Sequence, residues 1–334
     1  MKEYDDPDDY DEYENYDRQI RVDPELPSKF PLARNVIGEA RKFIDEFMLN
    51  INGEGIFKSM GVNPNKTFVI DGPPGVGKTY AIKAINNQMN IKIYQNMEEI
   101  AKQRRNPDPN PKKMGVEKFK LFCFSYDIGK YGTAYINMGS RRIQQFFDEI
   151  KIYAKHGLNT LVVCDEADSL FGKRGNLNSH GEDHKVIETL MKNMQIAHDT
   201  DKMYLILMSN MPEGIDEASM RAGRIDKRYT FSLPKIEERK KAFKHAISQR
   251  NKQAGYCVIK GDNPEILAEM SDGFNYADIY QSVEEAIRKR AKEIIKKKID
   301  KLVTIGYIQQ SRLEKSVLNH KNQFRTDKYK IGFK

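Results

Sequence analysis

Residues 72–79 read GPPGVGKT, that is Gly72, Pro73, Pro74, Gly75, Val76, Gly77, Lys78 and Thr79, in the spacing G-x-x-x-x-G-K-[ST]. Glycines so placed let backbone N–H groups bend around phosphate oxygens, and a helix starting just behind them adds a favourable dipole. Lys78 would reach the β- and γ-phosphates of a nucleoside triphosphate, and the Thr79 hydroxyl would hold Mg²⁺. Downstream, residues 161–166 read LVVCDE, an apolar run ending in two acids. Asp165 could hold the same Mg²⁺ through its shell, while Glu166 could polarise a water for attack on the γ-phosphate. Paired acids at a strand end can also merely cap the next helix; the phosphate loop upstream favours the chemical reading. The pair His180 and His184 sits in HGEDH. That is not H-E-x-x-H, and Gly181 weakens a helix there, so the pair reads against a metal site.

These residues need a scaffold. The run over 67–71 predicts a buried strand directly before the loop, and a helix from 78 to about 89 directly after it. Further strands are expected at 120–125, 160–165, 204–209 and 229–232, with helical stretches between them and a first helix over 32–49. Strands alternating with helices indicate a parallel sheet covered on both faces. The stretch 91–118 is polar and carries NPDPNP at 106–111, which suggests an inserted loop. Past Pro234 the strand signals stop and helices are expected at 237–251, 264–270 and 277–301. The fold class is therefore α/β: a P-loop NTPase parallel sheet sandwiched by helices, followed by a small all-α lid domain. The expected domains are an acidic disordered arm and linker (1–31), the nucleotide-binding domain (32–234), the helical lid (235–302) and a basic C-terminal extension (303–334).

Charge is unevenly spread. Of the 334 residues, positions 1–17 carry nine acids and one base, whereas positions 287–334 carry 15 bases and four acids. So charged an N-terminal segment cannot bury enough apolar surface to offset its ordering entropy. The basic stretch could attract nucleic acid, but its start alternates apolar residues with lysines, as an amphipathic helix with a solvated face does. Hydrophobic residues make up 39% and charged ones 31%, too apolar for a disordered chain and too charged for a membrane-embedded one. No apolar run approaches the ~20 residues of a bilayer span. An acidic start without an apolar signal core argues against secretion. Cys123, Cys164 and Cys257 are too few and too scattered for a disulfide framework or zinc site, which fits a reducing compartment. The expected location is cytoplasmic, in the host cytoplasm if the chain is viral.

Beyond the phosphate loop and the acidic pair, residues 206–226 read ILMSNMPEGIDEASMRAGRID, and 272–279 read DGFNYADI. With these, nearly all of 32–301 resembles an AAA+ ATPase of the hexameric, protein-remodelling or unfoldase type. The resemblance implies that Asn210 orients the attacking water and that Arg221 and Arg224 are arginine fingers acting on a neighbouring subunit. It also implies that the backbone around Ala277 contacts adenine, although Tyr276 stands where the pattern has glycine. Residues 133–147 align without gaps to the family's first pore loop and following helix, which would make Tyr135 and Ile136 the residues gripping a translocating polypeptide. Asn137 replaces the usual glycine there, and Lys130, Tyr131 and Gly132 offer a competing register. Residues 173–191 resemble the second pore loop and its helix.

The reading that follows is an ATP-hydrolysing mechanoenzyme, using ATP and Mg²⁺, that remodels or unfolds a protein substrate. Nucleotide would lie between subunits of a homo-oligomeric ring, a hexamer for preference, and an adaptor or the acidic arm would recruit the substrate. The competing reading is a DNA-directed AAA+ ATPase, a replication or loading accessory, for which only the basic C-terminal stretch speaks. A nucleotide-dependent scaffold is a third reading, disfavoured by the near-complete catalytic set. No H-E-x-x-H run follows the lid, so no fused peptidase is expected.

Overall fold

The computed structural model describes residues 25, 31–103, 121–127, 138–168, 181–211, 225–260, 263–296 and 307–331. Five strands form one sheet: β1 (Thr67–Asp71), β2 (Leu121–Asp127), β3 (Asn159–Asp165), β4 (Met203–Ser209) and β5 (Lys227–Thr230), in the order β2-β3-β4-β1-β5. Every residue of β1 and β4 is buried, as expected where helices cover both faces of a parallel sheet. The strands expected from the sequence are all present, with ends shifted by one or two residues.

The helices depart further from expectation. The first, α1 (Glu39–Ser59), starts seven residues later than the periodicity predicts and ends ten residues later. Its start is set by Gly38 at φ +71°, behind a short 3₁₀ turn over Ala33–Asn35 that ends in an extended Val36. Its extension crosses two glycines because Asn50, Ile51 and Glu54 are buried there, and tertiary contact overrides weak propensity. Likewise α2 (Lys78–Gln103) continues through the first part of the stretch expected to be an inserted loop. Residues 91–103 contain neither glycine nor proline, so nothing local stops it.

Two compact units are distinguished. The first comprises Met1–Ser28, Asn50–Ile70 and Asn86–Arg228. In it β3 pairs in parallel with β2 on one side and β4 on the other. Helices α3 (Met138–Lys155) and α4 (Gly181–Asp199) supply Ile143, Phe147, Ile150, Leu190 and Met194 to a core shared with Phe124, Val162 and Leu205. The edge strand β2 has part of its backbone satisfied by other elements. Asn90 on α2 hydrogen-bonds both the N–H and the carbonyl of Leu121, and the Glu25 N–H donates to the Cys123 carbonyl. Edges treated this way are poor templates for stray strands.

The second unit comprises Lys29–Leu49, Asp71–Ile85 and Tyr229–Lys334. Its helices are α5 (Ile236–Ala254), α6 (Pro264–Met270), α7 (Tyr276–Lys296) and α8 (Gln310–Ile331). Between them β6 (Ile259–Lys260) pairs in parallel with β7 (Ile308–Gln309). The segment expected to be only a basic extension thus contributes Ile308, Leu313 and Val317 to the core around Phe243, Leu267 and Ile279.

Candidate functional site

The loop between β1 and α2 owes its path to glycine. Gly72, Gly75 and Gly77 have φ of +141°, +79° and +99°, in the region closed to ordinary side chains. A Cβ on Gly72 would lie 2.1 Å from the Phe231 carbonyl oxygen, whose own N–H donates to the Asp71 carbonyl at 2.7 Å. A Cβ on Gly77 would meet nothing within 4 Å. Lys78 is buried, and its Nζ donates to the carbonyls of Gly72 (2.6 Å) and Pro73 (3.1 Å), so the cation stands over the loop. Thr79 is exposed in the first turn of α2.

The start of α7 is seated on this loop. The Asn275 Nδ2 donates to the Pro74 carbonyl at 3.2 Å, and the Ala277 N–H donates to the Gly75 carbonyl at 3.3 Å. Beside the loop lies a cleft lined by Ile37, Val76, Phe231, Ser232, Glu238 and Tyr276. Tyr276 therefore replaces the expected glycine with a side chain that walls the cleft. Burial, with Glu238 nearby, raises its phenol well above the usual range, so it is a neutral donor at ordinary pH.

In the other unit, β3 ends at Asp165. Its Oδ1 accepts from the Glu166 N–H at 2.8 Å, and Glu166 has φ +56°. A non-glycine residue in that region is strained, and the strain turns an exposed carboxylate off the strand end. The next N–H, of Ala167, donates to the Met208 carbonyl on β4, and the Asn210 N–H donates to Asp168 Oδ1 at 3.1 Å. Asp165, Glu166 and Asn210 are thus brought together, with Asp168 fixing the turn that carries Asn210. Strand register sets Asp127 opposite Asp165. Burial, and then the Asp165 charge, push the adjacent Cys164 thiol up to about 12, which leaves it inert.

Thr79 and Asp165 are both oxygen donors of the kind Mg²⁺ takes. Among the described residues no group of three or more His, Cys, Asp or Glu is arranged to hold a metal by itself. The expected residues Tyr135, Ile136, Arg221 and Arg224 lie outside the described residues, as do His180 and the His184 side chain. Sequence reading missed Asn275 and Asp168; both are short polar residues at turns, a signal visible in FNYAD and DEAD but too common to single out.

The family described as "ATPase family associated with various cellular activities (AAA)" matches residues 68–233. Among curated proteins, the chain is 25% identical over 253 residues to a proteasome-activating nucleotidase of Sulfurisphaera tokodaii, covering 75% of this chain and 53% of that protein. It is 24% identical to an ATP-dependent zinc metalloprotease FtsH of Parabacteroides distasonis, over 75% of this chain and 31% of that one. To the 26S proteasome subunit RPT4 of Saccharomyces cerevisiae it is 27% identical, over 75% and 48% respectively. The chain spans about half or less of the length of these relatives.

Proposed function

The chain belongs to the AAA family of ATPases, with ATP as its nucleotide and Mg²⁺ as its cofactor, and from that premise we propose that it couples ATP hydrolysis to remodelling or unfolding a protein substrate. What carries the reading is the glycine loop behind β1, with Lys78 held over it and α7 seated on it. In this reading Lys78 neutralises the β- and γ-phosphates, and the backbone N–H groups of 75–79 wrap them. Thr79 and Asp165 would hold Mg²⁺, which would offset phosphate charge. Glu166 polarises the attacking water from the end of β3, and Asn210 orients it from the end of β4. The cleft beside Val76 takes the adenine, near the backbone of Ala277. Arg221 and Arg224 serve a neighbouring subunit's nucleotide within a homo-oligomeric ring, preferably a hexamer, and Tyr135 and Ile136 grip the polypeptide. Domain limits at about 32 and 235 belong to the same reading, with the helical part continuing through α8.

Protein as the substrate class is supported by the relatives, whose names place them with the proteasome and with ATP-dependent proteolysis. Among the described residues no helix is long and apolar enough to cross a membrane. The test is ATP turnover of the parent and of Glu166→Gln, each with an unfolded model protein and with single-stranded DNA. Losing a positioned general base lowers turnover by roughly 10²–10⁴-fold, so Glu166→Gln should bind ATP yet scarcely hydrolyse it. Stimulation of the parent by unfolded protein is expected. Stimulation by DNA alone would replace the protein-directed reading with the DNA-directed one.

A further inference from the structure

The residue that caps α7 also handles the phosphate loop. Asn275 Oδ1 accepts from the Asp278 N–H at 2.8 Å, and Asp278 Oδ2 accepts from the Asn275 N–H at 2.9 Å, a reciprocal cap that closes the first turn of α7. That leaves the amide nitrogen for another partner, and it donates to the Pro74 carbonyl. The side chain lies flat on the loop: a Cβ on Gly75 would come within 2.5 Å of Asn275 Nδ2. Two residues on, the Ala277 N–H donates to the Gly75 carbonyl.

A trans peptide is planar, with its C=O and N–H directed oppositely. Holding the Pro74 carbonyl toward α7 therefore turns the Gly75 N–H the other way. Holding the Gly75 carbonyl does the same for the Val76 N–H. The two preceding carbonyls, of Gly72 and Pro73, are held by Lys78. Their peptides lead into Pro73 and Pro74 and carry no N–H at all. The first two amide donors of the loop are thus aimed by the helical segment and not by the loop itself.

We propose that Asn275 is a positioning residue of the nucleotide site, which through the Pro74 and Gly75 carbonyls orients the Gly75 and Val76 N–H groups toward bound phosphate. The proposal rests on the ATPase reading and adds a consequence. Movement of α7 off the loop lets both peptides turn, so the lid controls how long nucleotide stays. Bonds of 3.2 and 3.3 Å are long enough to break readily.

The discriminating substitution is Asn275→Ser. Serine caps a helix as well as asparagine does, so the bond from Asp278 survives, but it has no amide to offer Pro74. Release of a fluorescent ADP analogue from the full chain should speed up about ten-fold. That factor corresponds to ~1.4 kcal/mol, the size of one such hydrogen bond. KM for ATP should rise by more than kcat falls, and the melting temperature should match the parent. Asn275→Ala, which also removes the cap, should show the same faster release together with a lower melting temperature. Release from Asn275→Ser at the parent's rate, or faster release only in step with lost thermal stability, overturns the proposal. If the parent itself does not retain the analogue while Lys78→Ala behaves identically, the nucleotide reading fails and takes this proposal with it.

Discussion

Gly72 and Gly77 flank the same loop, yet they constrain it differently. Alanine at Gly72 would drive its methyl into the backbone of Phe231, where no rotamer can yield. The expected outcome of Gly72→Ala is a loss of about 3 kcal/mol, the upper range for a strained backbone position, together with loss of nucleotide binding. Gly77→Ala meets open space, so its stability cost should be nearer 1 kcal/mol. Nucleotide affinity should still fall, because the methyl stands where the loop turns around the ligand. Thermal melts with and without ATP separate the two variants. Both glycines were legible in the sequence from spacing alone, as were Lys78, Asp165 and Glu166. What could not be read was the partner of each: that Phe231 forbids a side chain at 72, or that Asn275 covers 75. Such contacts join residues far apart in the chain, and motif spacing carries no trace of them.

Helix α1 shows why element ends were harder to read than element types. Its last turns cross NINGEG, a sequence with poor helical propensity. They persist because Glu54, 4% exposed at its side chain, holds Lys202 at 2.6 Å and Lys58 at 3.2 Å. Burial alone would raise the Glu54 carboxyl, but hydrogen bonds from Lys202 and Lys58 bring it below the ordinary glutamate value of 4.5. A folded-state value below the unfolded one means the carboxylate stabilises the fold fully above pH 4.5, with that contribution lost as pH falls through the depressed value. Glu54→Gln should therefore cost about 1–2 kcal/mol at neutral pH, a figure reduced for the partial exposure of both lysines. The gap between variant and parent should close as the medium is acidified. A gap that widened in acid would show the lysine contacts to be unfavourable. Helix α8 was missed for a different reason. Leu313, Val317 and His320, all buried, fall at helical spacing, but the excess of basic residues made the stretch read as a basic extension.

Across the whole molecule, sheet and helical unit draw on the chain in different ways. β2, β3 and β4 follow one another in order, whereas the helical unit gathers segments from near residue 29 to near the end. Its core closes only with Ile308, Leu313 and Val317 in place. Leu313→Ala should cost about 3 kcal/mol, as is usual for emptying a buried leucine site. If α7 must be firmly held to seat on the loop, nucleotide affinity should weaken in the same variant, although position 313 is not among the residues lining the cleft. Calorimetry and ADP-analogue binding on one preparation would test both. The pairing of β6 with β7 has a further bearing on how the chain is made. A ribosome delivers residues 72–79 early and residues 308–317 late, and domains generally fold as units as they emerge. The nascent sheet can form while the seat for α7 is still unfinished. On the proposal made for Asn275, the loop amides of a growing chain stay unaimed until that seat is complete. If Asn275 aims those amides, a chain interrupted before residue 308 should hold ATP more weakly than one in which Ile308, Leu313 and Val317 have closed the core behind α7.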